Sequence, residues 1–580
     1  MHDASSDSAF VTPVAVLVFV LALSYRFLIM GGALGGFDND QFVNLSYAQQ
    51  IVLGDRPTRD YIEPGRPLTH FLSAAAQMTI GRTLFAEAAF TLAMLALSSA
   101  LLFALAFRAS GSYLIALAVA LVQIGMAPRH YNYPKLLAYA VAIPAIWTYI
   151  DRPNRKRLFL VAAAGAFAFL LRHDHGAYVA VGAVAAVLLI HRSQLRRAAV
   201  DICLLGAMTL ALVSPYLAYT QSYQNVLAYF RTGFAFAERT SERTSLVEPS
   251  FTIDSSYPLI VHVPPQPSPS RRVWLKSFLT QWHILPGVML EENAIPFLYY
   301  LLVVPPVLVL VLVLARADGA ITAGWANGSE KIAVVALVAL AMGHGILRGN
   351  LAARLADVSE VAGILIAWVA AVLLARRSAA GRLAAMGVVF LVSALSAVSV
   401  QALEDVTSQV TVTGIYGGVN KIVDHARDVY KQLQAIPPVE AWGDRPGNVR
   451  VARYLHNCTR PTDRVLVVGY DPELFYMAGR GFAAGSPWIL PEFFTTDEER
   501  RVMLRRVQSH RVPIVLTSPE PEYTEAYVSS FPVLDAFLND NYREVGTVDF
   551  GDRFNLRVLV RRTIRPVRDD PVTGLPCFAS

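Results

Sequence analysis

Residues 14–23 read VAVLVFVLAL, and residues 296–314 read PFLYYLLVVPPVLVLVLVL. Neither stretch carries a charge. The first is the centre of a mostly apolar run over 11–34. The second is by itself long enough for a membrane crossing, so both read as transmembrane helices. The first run also exceeds a signal-peptide core and has no basic residues before it, so it reads as an uncleaved span. The rest of the chain agrees. Of 580 residues, 54% are hydrophobic and 16% charged, against about 25% charged in an average soluble domain. That composition excludes a disordered, fibrous or nucleic-acid-binding chain.

Similar runs give about 11 spans, near 11–34, 84–107, 112–128, 136–150, 158–171, 176–190, 199–217, 296–315, 331–347, 355–375 and 383–402. The net charge of +6 reads as topology. One alternate set of loops carries Arg108; Arg152, Arg155, Lys156 and Arg157; Arg192, Arg196 and Arg197; Arg316 and Lys331; Arg376, Arg377 and Arg382. The other carries only Arg129, Lys135, Arg172, Arg348 and Arg354. The excess of Lys and Arg puts the first set in the cytoplasm. Residues 1–402 then form a transmembrane module with two long outer segments, 35–83 and 218–295. Residues 403–580 lie outside and read as an α/β domain. Arg464 to Val468 and Pro513 to Leu516 are expected strands, and Glu498 to Gln508 and Glu522 to Leu538 expected helices. Val545 to Asp549 and Asn555 to Val560 flank a turn at Gly551-Asp552 and predict a hairpin.

Phe42, Leu45, Ala48 and Val52 share one helical face, which suits a helix lying on the membrane surface. Val273, Trp274, Ser277, Phe278 and Trp282 suit an interfacial helix after a proline-rich stretch. Cys203 sits in an apolar run and reads as a core thiol. Cys458 and Cys577 both lie in the polar C-terminal part. They can pair if that part is extracytoplasmic, although spacing does not decide it.

Residues 35–72 read GGFDNDQFVNLSYAQQIVLGDRPTRDYIEPGRPLTHFL. Asp38 and Asp40 follow directly on the first span. A carboxylate at the rim of a bilayer cavity points to function, although both also fit as solvated loop acids or helix caps. Further cations sit in outer turns. Tyr131, Tyr133 and Lys135 lie between the third and fourth spans and suit phosphate or sugar contact, or anchoring at the interface. Arg172, His173, Asp174 and His175 form a tight turn between the fifth and sixth spans. They suit a capped helix start with a snorkelling arginine, contact with sugar or phosphate, or a divalent metal site. Arg348 lies between the ninth and tenth spans, and Arg26 inside the first.

Asp40, the AQQIVLG run at 48–54, Asp60-Tyr61 and Pro67-Leu68 resemble the first periplasmic loop of GT-C glycosyltransferases. The likeness is to bacterial polyprenyl-phosphate-dependent enzymes near the protein-mannosyltransferase and aminoarabinose-transferase group. YLHNCTRPTDRVLVVGYDPELFYMAGR at 454–480 is similar to the start of their C-terminal periplasmic domain. The resemblance implies a GT-C-like module in the bacterial inner membrane, with Asp40 as the catalytic carboxylate, a base toward the acceptor hydroxyl, and Asp38 as second choice. The family's usual form is a paired acid, whereas here Asn39 separates the two. It implies a polyprenyl-phosphate-linked sugar as donor, bound through Lys135, Tyr131, Arg172, His173, Asp174, His175 and Arg348. The acceptor would be a hydroxyl on an envelope glycan, lipid or protein, and the product inverted. Some relatives use a divalent ion and others none. A transporter of lipid-linked saccharides, or a non-catalytic membrane protein that binds envelope glycans, is the alternative expectation.

Overall fold

The computed structural model describes residues 4–30, 37, 39–243, 328–347, 351–375, 411–434, 447–551 and 554–579, with short pieces between 260 and 310 and residue 387. The chain is mostly helical, with strands near its C-terminus. Ten helices fill its first half: α1 (Ala4–Leu28), α2 (Asn39–Val52), α3 (Pro67–Thr79), α4 (Leu84–Ser110), α5 (Tyr113–Gly125), α6 (Tyr133–Asp151), α7 (Arg155–Leu171), α8 (His173–Ile190), α9 (Leu195–Tyr223) and α10 (Val226–Arg243). Helices Gly328–Gly345 and Ser359–Ala375 join them. Helix α4 is the central post and packs on α1, α5, α6 and Ser359–Ala375. Local chemistry sets its ends. The Thr83 side chain accepts from the Ala86 amide at the start, and left-handed Gly111 closes the end.

Four of the described helices are long and apolar enough to cross a membrane: Val11–Leu28, Leu84–Ser110, His173–Ile190 and Leu195–Tyr223. That is fewer than the eleven expected. The reason is length and charge. Helix α5 has 13 residues, about 20 Å of helix against a hydrocarbon core of about 30 Å. Helix α7 opens on Arg155, Lys156 and Arg157. The expected span at 383–402 and most of that at 296–315 fall outside the described residues. So does the expected interfacial helix except for Trp282, which lies in a strand. That strand, β2 (Trp282–Ile284), pairs antiparallel with β1 (Ile260–His262).

The C-terminal region holds a five-stranded sheet of order β4-β3-β5-β7-β6. Its strands are β3 (Arg464–Val468), β4 (Gly481–Phe482), β5 (Ile514–Thr517), β6 (Tyr542–Asp549) and β7 (Asn555–Arg561). Strand β3 runs parallel to β4 and β5, and β7 antiparallel to β5. All five residues of β3 are buried, as a strand covered on both faces must be. The hairpin β6–β7 forms as expected. The helix expected over Glu522 to Leu538 is two helices, Pro521–Ser530 and Pro532–Asn541. Pro532 has no amide to continue the first, so the chain breaks at Phe531. Cys458 and Cys577 are joined by a disulfide across 119 residues.

Two local expectations fail. Phe42 and Leu45 pack into a core shared with the C-terminal region, and Ala48 is fully buried, so this face does not lie on a membrane surface. Ser46, Gln49 and Gln50, on and beside that face, are hydrogen-bonded to the same region, so the face meets protein. Cys203 is exposed on α9. An apolar run does not distinguish a core face from one turned toward lipid.

Candidate functional site

The segment between α1 and α4 carries the site, and a network of polar contacts fixes its shape. The buried Glu87 carboxylate, in the first turn of α4, accepts from Gln41 on α2 and from Ser73 on α3. One acid thus ties three helices together. Helix α2 is then held along its length by the C-terminal region. Ser46 donates to the Pro472 carbonyl at 2.8 Å. Gln49 donates to the carbonyls of Phe475 and Arg480, and Gln50 to that of Phe482. Just past the helix, Asp55 pairs with Arg464 at 2.7 Å.

Asp60 and Tyr61 are structural here. The Asp60 carboxylate accepts from the Arg56 amide at 2.7 Å and from Arg59, closing a turn. Those bonds hold it below its ordinary pKa against the opposing effect of burial. Tyr61 is fully buried between Tyr47 and Phe482. The next turn, Glu63-Pro64-Gly65-Arg66, is held by Glu63, which accepts from the amides of Gly65 and Arg66 at 3.0 and 2.7 Å. Gly65 has φ +85°, and a Cβ there would stand 3.2 Å from the His173 ring. Its carbonyl accepts from the His173 amide at 3.0 Å. Glycine therefore lets this turn dock on the α7–α8 junction. Docking carries Arg66 to the side of Arg172.

A rim of charge results. Asp40 lies in the first turn of α2, exposed, and accepts from the Tyr470 hydroxyl at 3.0 Å. Arg66 senses Arg172, Asp40, Asp174 and Tyr131. Burial first, then the like charge of Arg172, draws its guanidinium below the ordinary value. Arg172 forks onto Asp174 at 2.8 and 3.0 Å. Lys135, in the first turn of α6, pairs with Asp357 at 2.5 Å, both nearly enclosed. Arg172 and Arg66 both act on it electrostatically. His175 shares a 2.6 Å hydrogen bond with Tyr139 through Nδ1. Tyr131 accepts from Arg129 at 2.9 Å.

Asp40, Tyr131, Lys135, Arg172, Asp174 and His175 are therefore brought to one rim. His173 is not. Its ring stacks on Phe169, and its nitrogens bond the Phe169 carbonyl and the Tyr229 hydroxyl. The rings of His173 and His175 diverge, so this turn offers no common ligand point for a metal. Among the described residues, the one group of three His, Cys, Asp or Glu side chains within ligand distance is Cys458, Asp570 and Cys577, and its two sulfurs are bonded to each other. Asp38 and Arg348 lie outside the described residues.

Two of the expected phosphate ligands, Lys135 and Arg172, already have carboxylate partners. Arg66, not singled out in the sequence, has none. Among the described residues no hydrogen bond or ion pair reaches its guanidinium, so its fork is open to a ligand. The signal for it was a Pro-Gly turn flanked by opposite charges, EPGR. Chemically the rim offers an exposed carboxylate that can take a proton, within electrostatic reach of a guanidinium that has no partner among the described residues and can hold a phosphate bidentately. No known protein-family model matches this chain, and no characterised protein is similar to it.

Proposed function

We propose that this chain is an integral-membrane glycosyltransferase. It moves a sugar from a polyprenyl-phosphate donor to a hydroxyl of an envelope glycan, lipid or protein at the outer face of a bacterial inner membrane. The observation that carries this reading is exposed Asp40 within electrostatic reach of Arg66, which has no partner among the described residues. In the reaction, Asp40 takes the proton of the acceptor hydroxyl. The hydroxyl oxygen bonds the anomeric carbon from the face opposite the phosphate, and the carbon–oxygen bond to phosphate breaks. The polyprenyl phosphate leaves with the electron pair and needs no acid, because it departs as a stable anion. Arg66, supported by Arg172, stabilises the charge that develops on it. Attack from the opposite face inverts the anomeric centre.

The topology belongs to the same reading: about 11 spans, the N-terminus inside, and the C-terminal region outside. The Cys458–Cys577 bridge supports the last point, since disulfides persist in oxidising compartments. Membranes bearing the chain, given polyprenyl-phosphate sugars labelled in the sugar, should pass the label to a water-exposed acceptor with inverted configuration. Label that crosses the bilayer still joined to its lipid would instead make the protein a transporter.

A further inference from the structure

A second concavity lies away from the Asp40–Arg66 rim. It is a cavity of about 570 Å³ between the Arg59–Pro64 turn, the α9–α10 junction and residues 486–506 of the C-terminal region. Its size suits one or two sugar rings. Trp488, Phe493 and Tyr229 give it flat aromatic walls, the surfaces on which the apolar face of a sugar ring rests.

Its charges are unevenly committed. Arg239 pairs with Glu499 at 3.2 Å, and Arg59 with Asp60 at 2.6 Å. Glu63 is taken up by two amides and by the hydroxyls of Tyr229 and Tyr216. Exposed Glu498 pairs with Arg505. Arg506 is the exception. No hydrogen bond or ion pair reaches its guanidinium among the described residues, and its Nη1 is buried. Asp60 and Tyr47 act on it only at a distance. Gly485 makes room for it: at φ +79°, a Cβ there would stand 2.4 Å from Nη1. A partly buried cation without a partner is costly unless a ligand anion completes it.

The cavity also communicates with the rim. Its wall residue Glu63 shapes the turn that presents Arg66. Trp488 lies 6.1 Å from the ring of Tyr470, whose hydroxyl rests on Asp40.

We infer that this cavity binds an anionic saccharide, with Arg506 on its carboxylate or phosphate and Trp488 beneath a sugar ring. Resting on the function proposed above, that saccharide is the acceptor of the transfer.

The test reads binding on the Asp40→Asn protein, where no turnover intervenes. Tryptophan fluorescence is followed while glucuronic acid, glucose phosphate or glucose is added, with Trp488→Phe as the control for the site. The charged sugars are expected to bind at least about tenfold more tightly than glucose, and Arg506→Met to remove that advantage, as loss of a charge-assisted contact requires. Arg506→Lys, which keeps the charge, should recover part of it in protein of unchanged elution volume. The carboxylate and phosphate arms tell the two anion sources apart. Equal binding of glucose, indifference to Arg506→Met, or full competition by inorganic phosphate alone would each overturn the inference. Binding without any sugar transfer by the native chain would instead overturn the glycosyltransferase and leave the saccharide site standing.

Discussion

The flank of α2 and the rim at its start differ in how far their polar groups are committed. Along the flank, Ser46, Gln49, Gln50 and Asp55 are each matched to a carbonyl or an arginine of the C-terminal region. At the rim, Asp40 has one hydrogen bond, from a tyrosine, and Arg66 has no side-chain partner among the described residues. The two lie on one short segment, within a few helical turns. The difference teaches where interaction energy is spent within the protein and where it is left for a ligand. A held flank keeps an uncommitted rim in position, which is the condition for electrostatic catalysis without reorganisation.

Asp40→Asn tests the rim most severely. It keeps the shape and removes the basicity, so turnover should fall by about 10²–10⁴-fold. Folding should be unchanged, because the side chain is exposed. Near-normal turnover would break the comparison at its centre. Lys135→Met comes next. Lys135 and Asp357 are a nearly enclosed pair, so removing one partner should cost about 3–5 kcal/mol of stability, read by chemical denaturation. Replacing Asp357 as well, by Leu, should restore most of it. If Lys135→Met instead leaves stability intact and weakens donor use, Lys135 belongs with Arg66 as a phosphate ligand.

Arg66→Ala should raise the donor KM, by a loss of about 1.5–3 kcal/mol for one charge-assisted contact, with little effect on melting. Equal loss of stability and donor use would place Arg66 in the committed class. A further effect concerns pH and is absent near neutrality. His70 is wholly buried against Tyr47, and burial, then the charge of Arg66, pushes its pKa down to about 3. In the unfolded chain it titrates near 6.5. Below that value the unfolded state takes up a proton that the folded state refuses. Stability is therefore lost as pH falls from about 6.5 toward about 3, at up to about 1.4 kcal/mol per pH unit. Melting of His70→Phe across that range should show a shallower decline than the native chain.

What the sequence disclosed was local. The RVLVV and PIVL runs and the Gly551-Asp552 turn announced their strands, because alternation and turn chemistry act over a few residues. Asp40 and the cations of the outer turns were legible for the same reason: each stands at the end of an apolar run. The partner of α2 was not legible. Its amphipathic face fits a membrane surface and a folded domain equally well, and the groups that settle the matter lie more than 400 residues further on. The ion-pairing of Lys135 by Asp357, 222 positions away, was hidden in the same way. Arg66 was not legible because nothing local marks the EPGR turn as one that docks on His173 and brings its cation beside Arg172. The lengths of the helices were not legible either, because apolar content does not report where a helix begins and ends.

The docking of α2 onto residues 472–482 has a consequence for timing. The bond from Ser46 to Pro472 joins positions 426 residues apart. At synthesis rates of about 5–20 residues per second, the partner surface follows α2 by roughly 20–90 s. For that interval the segment bearing Asp40 rests only on α4 and the α7–α8 junction. Cys577 must also arrive before it can close on Cys458. The flank of α2 is therefore held only once residues 472–482 have been made, and a chain stalled before them would carry Asp40 on a helix without that support.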